Sequence, residues 1–219
     1  MPEGVAHRTV APTNRQERRK AHTRLALVRA AQSFIAAGSL NVPILDITRA
    51  ADVGMGSFYN HFDSKEELFQ AAVEEALDTL GALLDELTGG VDDPVQVFAQ
   101  GFRLVGRWHR RNPELSRALL NGRLALGGSK RGLAPRARRD IRDGAHAGRF
   151  TVRDHELAVT IVGGAAFALG QFLHDHPERD DAETTDQVTE DLLRMLGVSA
   201  REARRICALP LPRHRATAA

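Results

Sequence analysis

Cysteine, strand patterning and long apolar runs are scarce in this chain, and each scarcity excludes a class of protein. Cys207 is the only cysteine among 219 residues, so an internal disulfide framework is impossible. Residues 1–20 lack the apolar stretch of a signal peptide. The most apolar segment, residues 157–173, is interrupted by Thr160 and Gln171 and is shorter than the roughly 20 residues of a membrane span. We therefore expect a cytoplasmic protein without a membrane segment.

The short patterns that mark common enzymes are also missing. The sequence contains no HExxH, no CxxC and no Walker-type phosphate loop. His174 and His176 stand two positions apart on a predicted helix, so their side chains point in different directions. Cys207 has no partner base nearby in the sequence. We expect no enzyme, no catalytic residue and no cofactor, and a sensor that binds a metal through some of the histidines stays open as an alternative.

Charge is nearly balanced overall but unevenly distributed. The formal net charge is +2, yet residues 1–45 hold seven arginines and lysines against two acidic residues, and residues 66–93 are strongly acidic. A basic N-terminal segment on a nearly neutral protein indicates a local contact with a polyanion, although a solvated tail explains Arg8 and Arg15 equally well. With 42% hydrophobic residues, the chain is large enough for one small and one larger domain.

Apolar residues recur with helical spacing along the whole chain, and this periodicity predicts an all-α fold. Helices are expected at about residues 15–37, 44–51, 55–61, 64–87, 94–111, 135–147, 154–174, 184–196 and 199–208, with a short one from residue 113. Ser64 with Glu67 has the spacing of a capping box. The break after residue 87 predicts a domain over 15–65, a linking helix over 64–87, a second domain over 88–209, and flexible tails at 1–14 and 210–219.

Two of the short predicted helices, residues 44–51 and 55–61, are joined by a tight connection. Ala50 and Ala51 give the first helix a small inward face that lets the second cross it closely, and Gly54 relieves the backbone at the turn. Two helices with a tight, glycine-containing turn are typical of a helix-turn-helix. Many helical hairpins share this pattern, so DNA binding and simple helix packing both stay open at this point.

The residues after the turn are more specific. The run GMGSFYNHFDSKEEL at residues 54–68 resembles the signature of the TetR family of bacterial transcriptional regulators. The resemblance extends upstream through DITRAA at residues 46–51 and covers roughly residues 18–75. It implies a three-helix DNA-binding domain at the N-terminus and a helical domain for ligand binding and dimerisation at the C-terminus. The implied function is that of a repressor released from its operator by a small molecule, and a ligand-responsive activator stays open.

The resemblance also implies roles for individual residues. Tyr59, His61 and Lys65 match positions that contact DNA phosphates, which fix register and affinity without reading sequence. Phe62 matches a core position that anchors the recognition helix. The residues implied to face the base edges are Met55, Gly56, Ser57 and Asn60.

The chain departs from the family pattern at both ends of the first motif helix. Where the family often has a serine or threonine cap, this chain has Pro43, so Asn41 is expected to cap the helix or Pro43 to be its first residue. Where the turn often has glycine, the chain has Asp52, which tolerates left-handed backbone better than most residues. Leu45 and Gly56 suggest few direct contacts with bases.

One helix-turn-helix covers about half of a DNA site, so we expect a homodimer. The predicted surface is formed by the helices 154–174 and 184–196, as in the family's four-helix bundle. Small residues there permit close approach and large ones supply apolar area: Gly163, Gly164, Ala165, Ala166, Gly170, Leu157, Ile161, Phe167, Leu169 and Phe172. An internal core helix of one subunit is the alternative.

The helices over residues 94–147 are expected to enclose a pocket for an unidentified small-molecule effector, as the resemblance implies. Its expected walls are Phe98, Phe102, Val105, Trp108, Leu119 and Leu120, and its expected polar contacts are Arg103, His109, Asn121 and Gln171. A ligand that prefers one pocket shape would tilt the helix 64–87 and move the recognition helices. A helical adaptor that binds another protein is the rival to a regulator bound to double-stranded operator DNA.

Overall fold

The structure, a computed structural model, describes residues 15–121 and 133–212. Those residues form ten α-helices and contain no strand, which confirms the all-α prediction. The helices are α1 Arg15–Ala36, α2 Ile44–Ala50, α3 Met55–Tyr59, α4 Lys65–Thr88, α5 Pro94–Arg111, α6 Pro113–Asn121, α7 Ala134–His146, α8 His155–Asp175, α9 Asp181–Met195 and α10 Ala200–Cys207. The predicted tail at 1–14, the Gly-rich segment 122–132 and residues 213–219 lie outside the described residues.

Helices α1 to α4 enclose the first apolar core. Each contributes a fully buried side chain, namely Leu27, Ile47, Phe58 and Leu68. Burying a side chain of this size stabilises the fold by about 1.5–3 kcal/mol. Because α3 has only five residues, its position depends on Phe58 and on Phe62, which follows it and is 2% exposed.

The turn between α2 and α3 uses the left-handed backbone expected for Asp52. This residue has φ 53°, the only positive φ among the described residues other than glycine. The backbone N–H of Asp52 donates to the carbonyl of Arg49 at 3.1 Å, and that of Val53 donates to Thr48 at 3.0 Å. Both bonds close the end of α2 and turn the chain into α3.

The start of α2 corrects both alternatives drawn from the sequence. Pro43 is the N-cap itself, with φ −63° and ψ 147°, and no side chain caps the helix. The side-chain oxygen of Asn41 instead lies 3.5 Å from Nζ of Lys65, which also donates to the carbonyl of Val42 at 3.3 Å. The lysine at the start of α4 therefore holds the loop that precedes α2.

A reciprocal cap starts α4, as predicted. Oγ of Ser64 accepts from the N–H of Glu67 at 3.1 Å, and Oε2 of Glu67 accepts from the N–H of Asp63 at 2.7 Å. From this fixed start α4 runs for 24 residues out of the first core. Leu80 and Leu84, near its far end, pack with Trp108 of α5.

Helix α6 joins the two halves of the molecule as well. Its Leu115, Ala118 and Leu119 pack against the core of α1 to α4, while the same helix contacts α5 and α8. The side-chain amide of Asn112, the residue before α6, donates to the carbonyl of Trp108 at 3.3 Å and so closes α5. Two helices, α4 and α6, therefore link the halves.

The second core lies among α5, α7, α8, α9 and α10. Nε and Nη2 of Arg103 donate to the two carboxylate oxygens of Asp186 at 2.8 and 3.1 Å, and Nη2 of Arg107 donates to the same carboxylate at 2.8 Å. These ion pairs, with both arginines buried and Asp186 partly exposed, join α5 to α9. Helix α9 begins at Asp181 rather than Thr184, because the carboxylate of Asp180 caps it through the N–H of Glu183 at 2.7 Å.

Helix α8 has two apolar faces. One packs against α5, α6, α7 and α9. The other is solvent-exposed in the single chain, with Leu157, Ile161 and Phe172 exposed by 56, 43 and 38%. By length and composition alone α8 qualifies as a membrane span, a test that the core helix of a soluble protein also passes.

Candidate DNA interface and ligand cavity

The outer face of α3 projects from the first core. Met55 and Tyr59 are 39 and 59% exposed, while Phe58 between them is fully buried. A Cβ atom added to Gly56 would meet no atom within 4 Å, so this part of the helix is open. The short helix thus presents a narrow surface that the protein itself does not cover.

Basic residues of α1 lie beside this surface. Arg15, Arg19 and Lys20 line an open groove together with Thr23 of α1 and with Ser57, Asn60 and His61. The sequence indicated a polyanion contact for the basic segment but did not pair it with α3. The detectable signal was the recurrence of basic residues at helical spacing in α1, which presents them on one side of the helix.

His61 lies at the edge of the groove. Burial, followed by the nearby charges of Lys20 and Arg24, lowers the pKa of His61 below its ordinary value. Arg24 also stacks over the ring of Phe62 at 5.2 Å. A neutral imidazole still has one N–H with which it can donate to a phosphate oxygen.

A cavity of about 170 Å³ lies in the second half of the molecule. Its walls come from five helices, α4 to α8. The side chains are mostly apolar and include Leu77, Leu84, Phe98, Phe102, Val105, Trp108, Leu119, Leu133, Val159, Val162 and Phe167. An apolar cavity with a few polar groups is the usual form of a small-molecule site.

Four polar residues reach the cavity: Glu74, His109, Arg136 and Asp140. Burial raises the pKa of Asp140, and the neighbouring Arg139 opposes that shift. His109 is 2% exposed, and its Nε2 has no hydrogen-bond partner in residues 15–121 and 133–212. Burial lowers the pKa of His109 to about 4, and the charge of His174 acts in the same direction.

Three of the predicted ligand contacts line the cavity, namely Phe102, Trp108 and His109. Arg103 does not, because its guanidinium binds Asp186 and the carbonyl of Leu209. Gln171 is exposed on α8, where its amide donates to Asp175 at 3.0 Å. The side chain of Asn121 lies outside the described residues. We therefore remove Arg103 and Gln171 from the candidate ligand contacts.

Leu77 of α4 and Leu119 of α6 belong to both parts of the molecule. Each lines the cavity, and each packs against the core that holds the helix-turn-helix. The sequence predicted Leu119 in the pocket wall, whereas Leu77 and the shared role of both leucines are visible only in the folded chain. A change in the shape of the cavity at these two leucines is therefore also a change in the packing of the first core.

The exposed face of α8 forms a continuous apolar stripe. Leu157, Ile161, Gly164, Ala168 and Phe172 repeat at intervals of three or four residues and are all exposed. The small residues in the middle leave room for a second helix. Leu169 and Phe167, expected at the dimer surface, lie elsewhere, because Leu169 is buried in the subunit core and Phe167 lines the cavity.

Other chemistry finds little support in the described residues. No group of three or more potential metal ligands occurs in residues 15–121 and 133–212. Burial raises the pKa of the Cys207 thiol to about 11, so it stays protonated at neutral pH and is a poor nucleophile.

Two family models match the chain. The model for bacterial regulatory proteins of the tetR family matches residues 26–72. The model for the tetracyclin repressor-like C-terminal domain matches residues 93–208, more than half of the chain. A comparison with curated proteins found no match.

Solved structures agree with the family models. RolR without ligand is 35% identical, with a TM-score of 0.75 over 86% of this chain and 98% of RolR. RolR in complex with resorcinol is 33% identical, with a TM-score of 0.70 over 90% of this chain and 98% of RolR. A putative tetR family regulator from Shewanella sp. PV-4 shares the fold at 19% identity, with a TM-score of 0.62 over 81% of this chain and 99% of its own.

The chain therefore belongs to the TetR family of transcriptional regulators. The recognition made from residues 54–68, the two-part all-α architecture and the helix-turn-helix are confirmed. Regulators of this family bind operator DNA and small-molecule ligands, and they dimerise. They are DNA-binding proteins rather than enzymes.

The open space at Gly56 yields a test of the outer face of α3. We predict that Gly56→Leu folds with an unchanged Tm, because the new side chain meets no protein atom near its Cβ. Operator affinity should fall at least tenfold, about 1.4 kcal/mol, because the new side chain occupies space that the edge of the DNA major groove would fill. Fluorescence anisotropy with labelled DNA measures this loss.

Gly90→Leu is the matched control, because Gly90 is equally open but lies in the turn after α4. This variant should bind DNA like the unmodified protein. Unchanged affinity in Gly56→Leu would remove α3 from the DNA interface.

Proposed function

We propose that this protein is a homodimeric, cytoplasmic repressor that leaves its operator when a small aromatic compound fills the cavity. The observation that carries the proposal is the double role of Leu77 and Leu119 in the cavity wall and in the DNA-binding core. A ligand that changes the packing of these leucines changes the support of the recognition helix. We take ligand binding to relieve repression, and a ligand-responsive activator is the alternative.

The proposed DNA contacts are of two kinds. Met55, Gly56, Ser57 and Asn60 face base edges, and Tyr59 and His61 contact phosphates. The groove beside α3 supports adding Arg15, Arg19 and Lys20 of α1 to the phosphate contacts. Lys65 is also proposed to contact a phosphate, although its ammonium donates to the loop before α2 in this structure.

The size of the cavity supports a ligand with one aromatic ring. An engineered apolar cavity of about 150 Å³ in another protein binds benzene, and the present cavity has about 170 Å³. RolR, which is 33% identical over most of the chain, has a structure in complex with resorcinol, a benzene ring with two hydroxyl groups. The polar residues His109, Arg136 and Asp140 suit hydroxyl groups on such a ring.

The exposed apolar stripe of α8 supports dimerisation through α8 and α9. Leu157, Ile161 and Phe172 supply the apolar area, and Met195 of α9 is 42% exposed as well. Pairing this stripe with its copy removes apolar surface from water, which contributes about 25 cal/mol per Å². The two recognition helices then need a spacing of about 34–36 Å to meet successive turns of the major groove.

Release from DNA follows from differential affinity. A ligand shifts the equilibrium only if it binds the form incompetent for DNA more tightly than the competent form, and couplings of about 1–3 kcal/mol are typical. Filling the cavity pushes on α4 through Leu77 and on α6 through Leu119. Both helices pack against the core of α1 to α3, so the push reaches the recognition helix.

A cavity-filling variant tests the function most sharply. DNA fragments selected from a genomic pool by the purified protein provide the operator. Resorcinol and related phenols should release the unmodified protein from it. Gly101 lines the cavity, and a Cβ added there meets no atom within 4 Å, so Gly101→Leu occupies the ligand space without a clash near the backbone. This variant should bind the operator more weakly without ligand, because the leucine fills the cavity as a ligand does, and it should no longer respond to added ligand.

Gly90→Leu, outside the cavity, should keep the response to ligand. Operator binding should weaken steeply with added salt, as phosphate neutralisation requires. If no DNA fragment is selected, the helical adaptor becomes the better reading. If operator binding is sound but no phenol changes it in the unmodified protein, the ligand class is wrong.

A charge in the stripe of α8 tests the dimer. Ile161→Glu should give a monomer, because an unpaired carboxylate at the centre of an apolar interface is costly to bury. Light scattering coupled to gel filtration measures the mass, and operator affinity should fall with it. Leu40→Glu is the matched control, because Leu40 is exposed by 42% against 43% for Ile161 but lies before α2. A dimer of undiminished stability in Ile161→Glu would exclude this face.

A further inference from the structure

Three side chains connect the cavity with the surface of the molecule. Nδ1 of His109 lies 2.7 Å from Oγ of Ser116, and the same Oγ lies 2.8 Å from Nε2 of His174. His109 belongs to α5, Ser116 to α6 and His174 to α8. Ser116 is fully buried, whereas His174 is partly exposed. The chain of hydrogen bonds therefore begins at the cavity and ends where solvent protons can reach it.

The number of hydrogens in this chain allows two arrangements. Ser116 has one hydroxyl hydrogen, so it can donate to one imidazole and must accept an N–H from the other. In the first arrangement, Nε2–H of His174 donates to Ser116 and Ser116 donates to Nδ1 of His109. In the second, Nδ1–H of His109 donates to Ser116 and Ser116 donates to Nε2 of His174. An arrangement in which both imidazoles donate to Ser116 would leave its buried hydroxyl hydrogen without an acceptor among the described residues, and all remaining arrangements set two lone pairs against each other.

The two arrangements differ in whether Nε2 of His109 donates or accepts a hydrogen bond in the cavity. In the first, a neutral His109 holds its hydrogen on Nε2, which is then a donor. In the second, the hydrogen is on Nδ1 and Nε2 is an acceptor. Nε2 has no hydrogen-bond partner among the described residues, and His109 lines the cavity. The backbone of Ala166 interacts with His109 and raises its pKa, but it does not give Nε2 a partner at the distance and angle of a hydrogen bond.

We propose that Ser116 and His174 determine which ligands the cavity accepts, by setting whether Nε2 of His109 donates or accepts a hydrogen bond. A hydroxyl ligand that donates strongly fits the second arrangement, and a ligand that only accepts fits the first. The inference rests on the proposed ligand cavity and adds specificity residues to it. Ser116 and His174 act through His109 and are positioning residues.

Protonation of His174 selects between the arrangements. A doubly protonated His174 can only donate from Nε2. The buried hydroxyl hydrogen of Ser116 then has Nδ1 of His109 as its one acceptor among the described residues, so Nε2 of His109 becomes a donor. Burial and the charges of Arg117 and Arg110 lower the pKa of His174, while Glu114 and Asp175 oppose that shift. His174 therefore takes up its second proton at a lower pH than an ordinary histidine. His109 stays neutral there, because its pKa is about 4.

The first experiment needs no ligand. In protein labelled with ¹⁵N at histidine, nitrogen chemical shifts report which ring nitrogen of His109 is protonated. We expect the Nδ1–H form of His109 to be populated at pH 8 and replaced by the Nε2–H form as His174 titrates. The change should vanish in Ser116→Ala, whose fold is checked by its Tm, and in His174→Gln, which cannot titrate. A His109 tautomer that is the same at every pH overturns the proposal.

The second experiment measures recognition. Phenol can donate a hydrogen bond, benzonitrile can only accept one, and neither titrates between pH 5.5 and pH 8. Calorimetry should show that the ratio of phenol affinity to benzonitrile affinity falls by about threefold to tenfold between about pH 8 and about pH 5.5, the size of one hydrogen bond. His174→Gln should abolish this change. His146→Gln, on the exposed end of α7, should keep it.

The outcomes separate this inference from the proposed function. If neither probe binds but the tautomer of His109 follows His174, the ligand class is wrong and the hydrogen-bond chain stands. If both probes bind and their affinity ratio ignores pH, or changes equally in His174→Gln, the cavity is a ligand site and the chain does not set its specificity.

Discussion

The protein depends on one constraint, the shared packing of Leu77 and Leu119 between two cores. Each leucine contacts the cavity on one side and the helix-turn-helix core on the other. Protein interiors are packed as densely as organic crystals, so a side chain displaced on one side disturbs its neighbours on the other. A cavity that was closed off from α4 and α6 would bind ligand without consequence for DNA.

In the proposed mechanism, the location of the cavity gives a small ligand a large effect on α3. Five residues form α3, and their position depends on Phe58 and Phe62 rather than on a long helix. Helices α4 and α6 both contact α1, which forms one wall of the same core. A change in the packing of either helix can therefore shift α3 as a unit. The exposed face of α3 can be moved in this way because so short a helix is held mainly by the core beneath it.

Buried polar side chains in the second half of the molecule have two separate roles. Arg103 and Arg107 bind Asp186 and hold α5 on α9, so these buried charges are paired and stabilise the fold. His109 differs from them because its Nε2 has no hydrogen-bond partner among the described residues. A buried polar atom without a partner is costly unless something binds it, and a ligand is the natural candidate in a cavity.

Local signals in the sequence predicted much of this arrangement. The cap formed by Ser64 and Glu67, the left-handed Asp52 and the core position of Phe62 each depend on neighbouring residues, and all three are found as predicted. Arg103 could not be assigned in this way, because its partner Asp186 lies 83 residues away. Leu77 escaped notice for the same reason, since only the folded chain brings α4 to the cavity.

The most direct test measures the distance between the recognition helices of a dimer. A spin label at Met55→Cys is exposed, whereas Cys207 is buried and protonated and should not react. Because the label lies on the face proposed to meet the base edges, the separation is measured in free dimers, where pulsed electron paramagnetic resonance should give a value near the groove spacing of about 34–36 Å without ligand. Resorcinol should change that separation in free dimers, and Gly101→Leu should prevent the change. Ligand that binds and releases DNA while the separation stays constant would contradict the account.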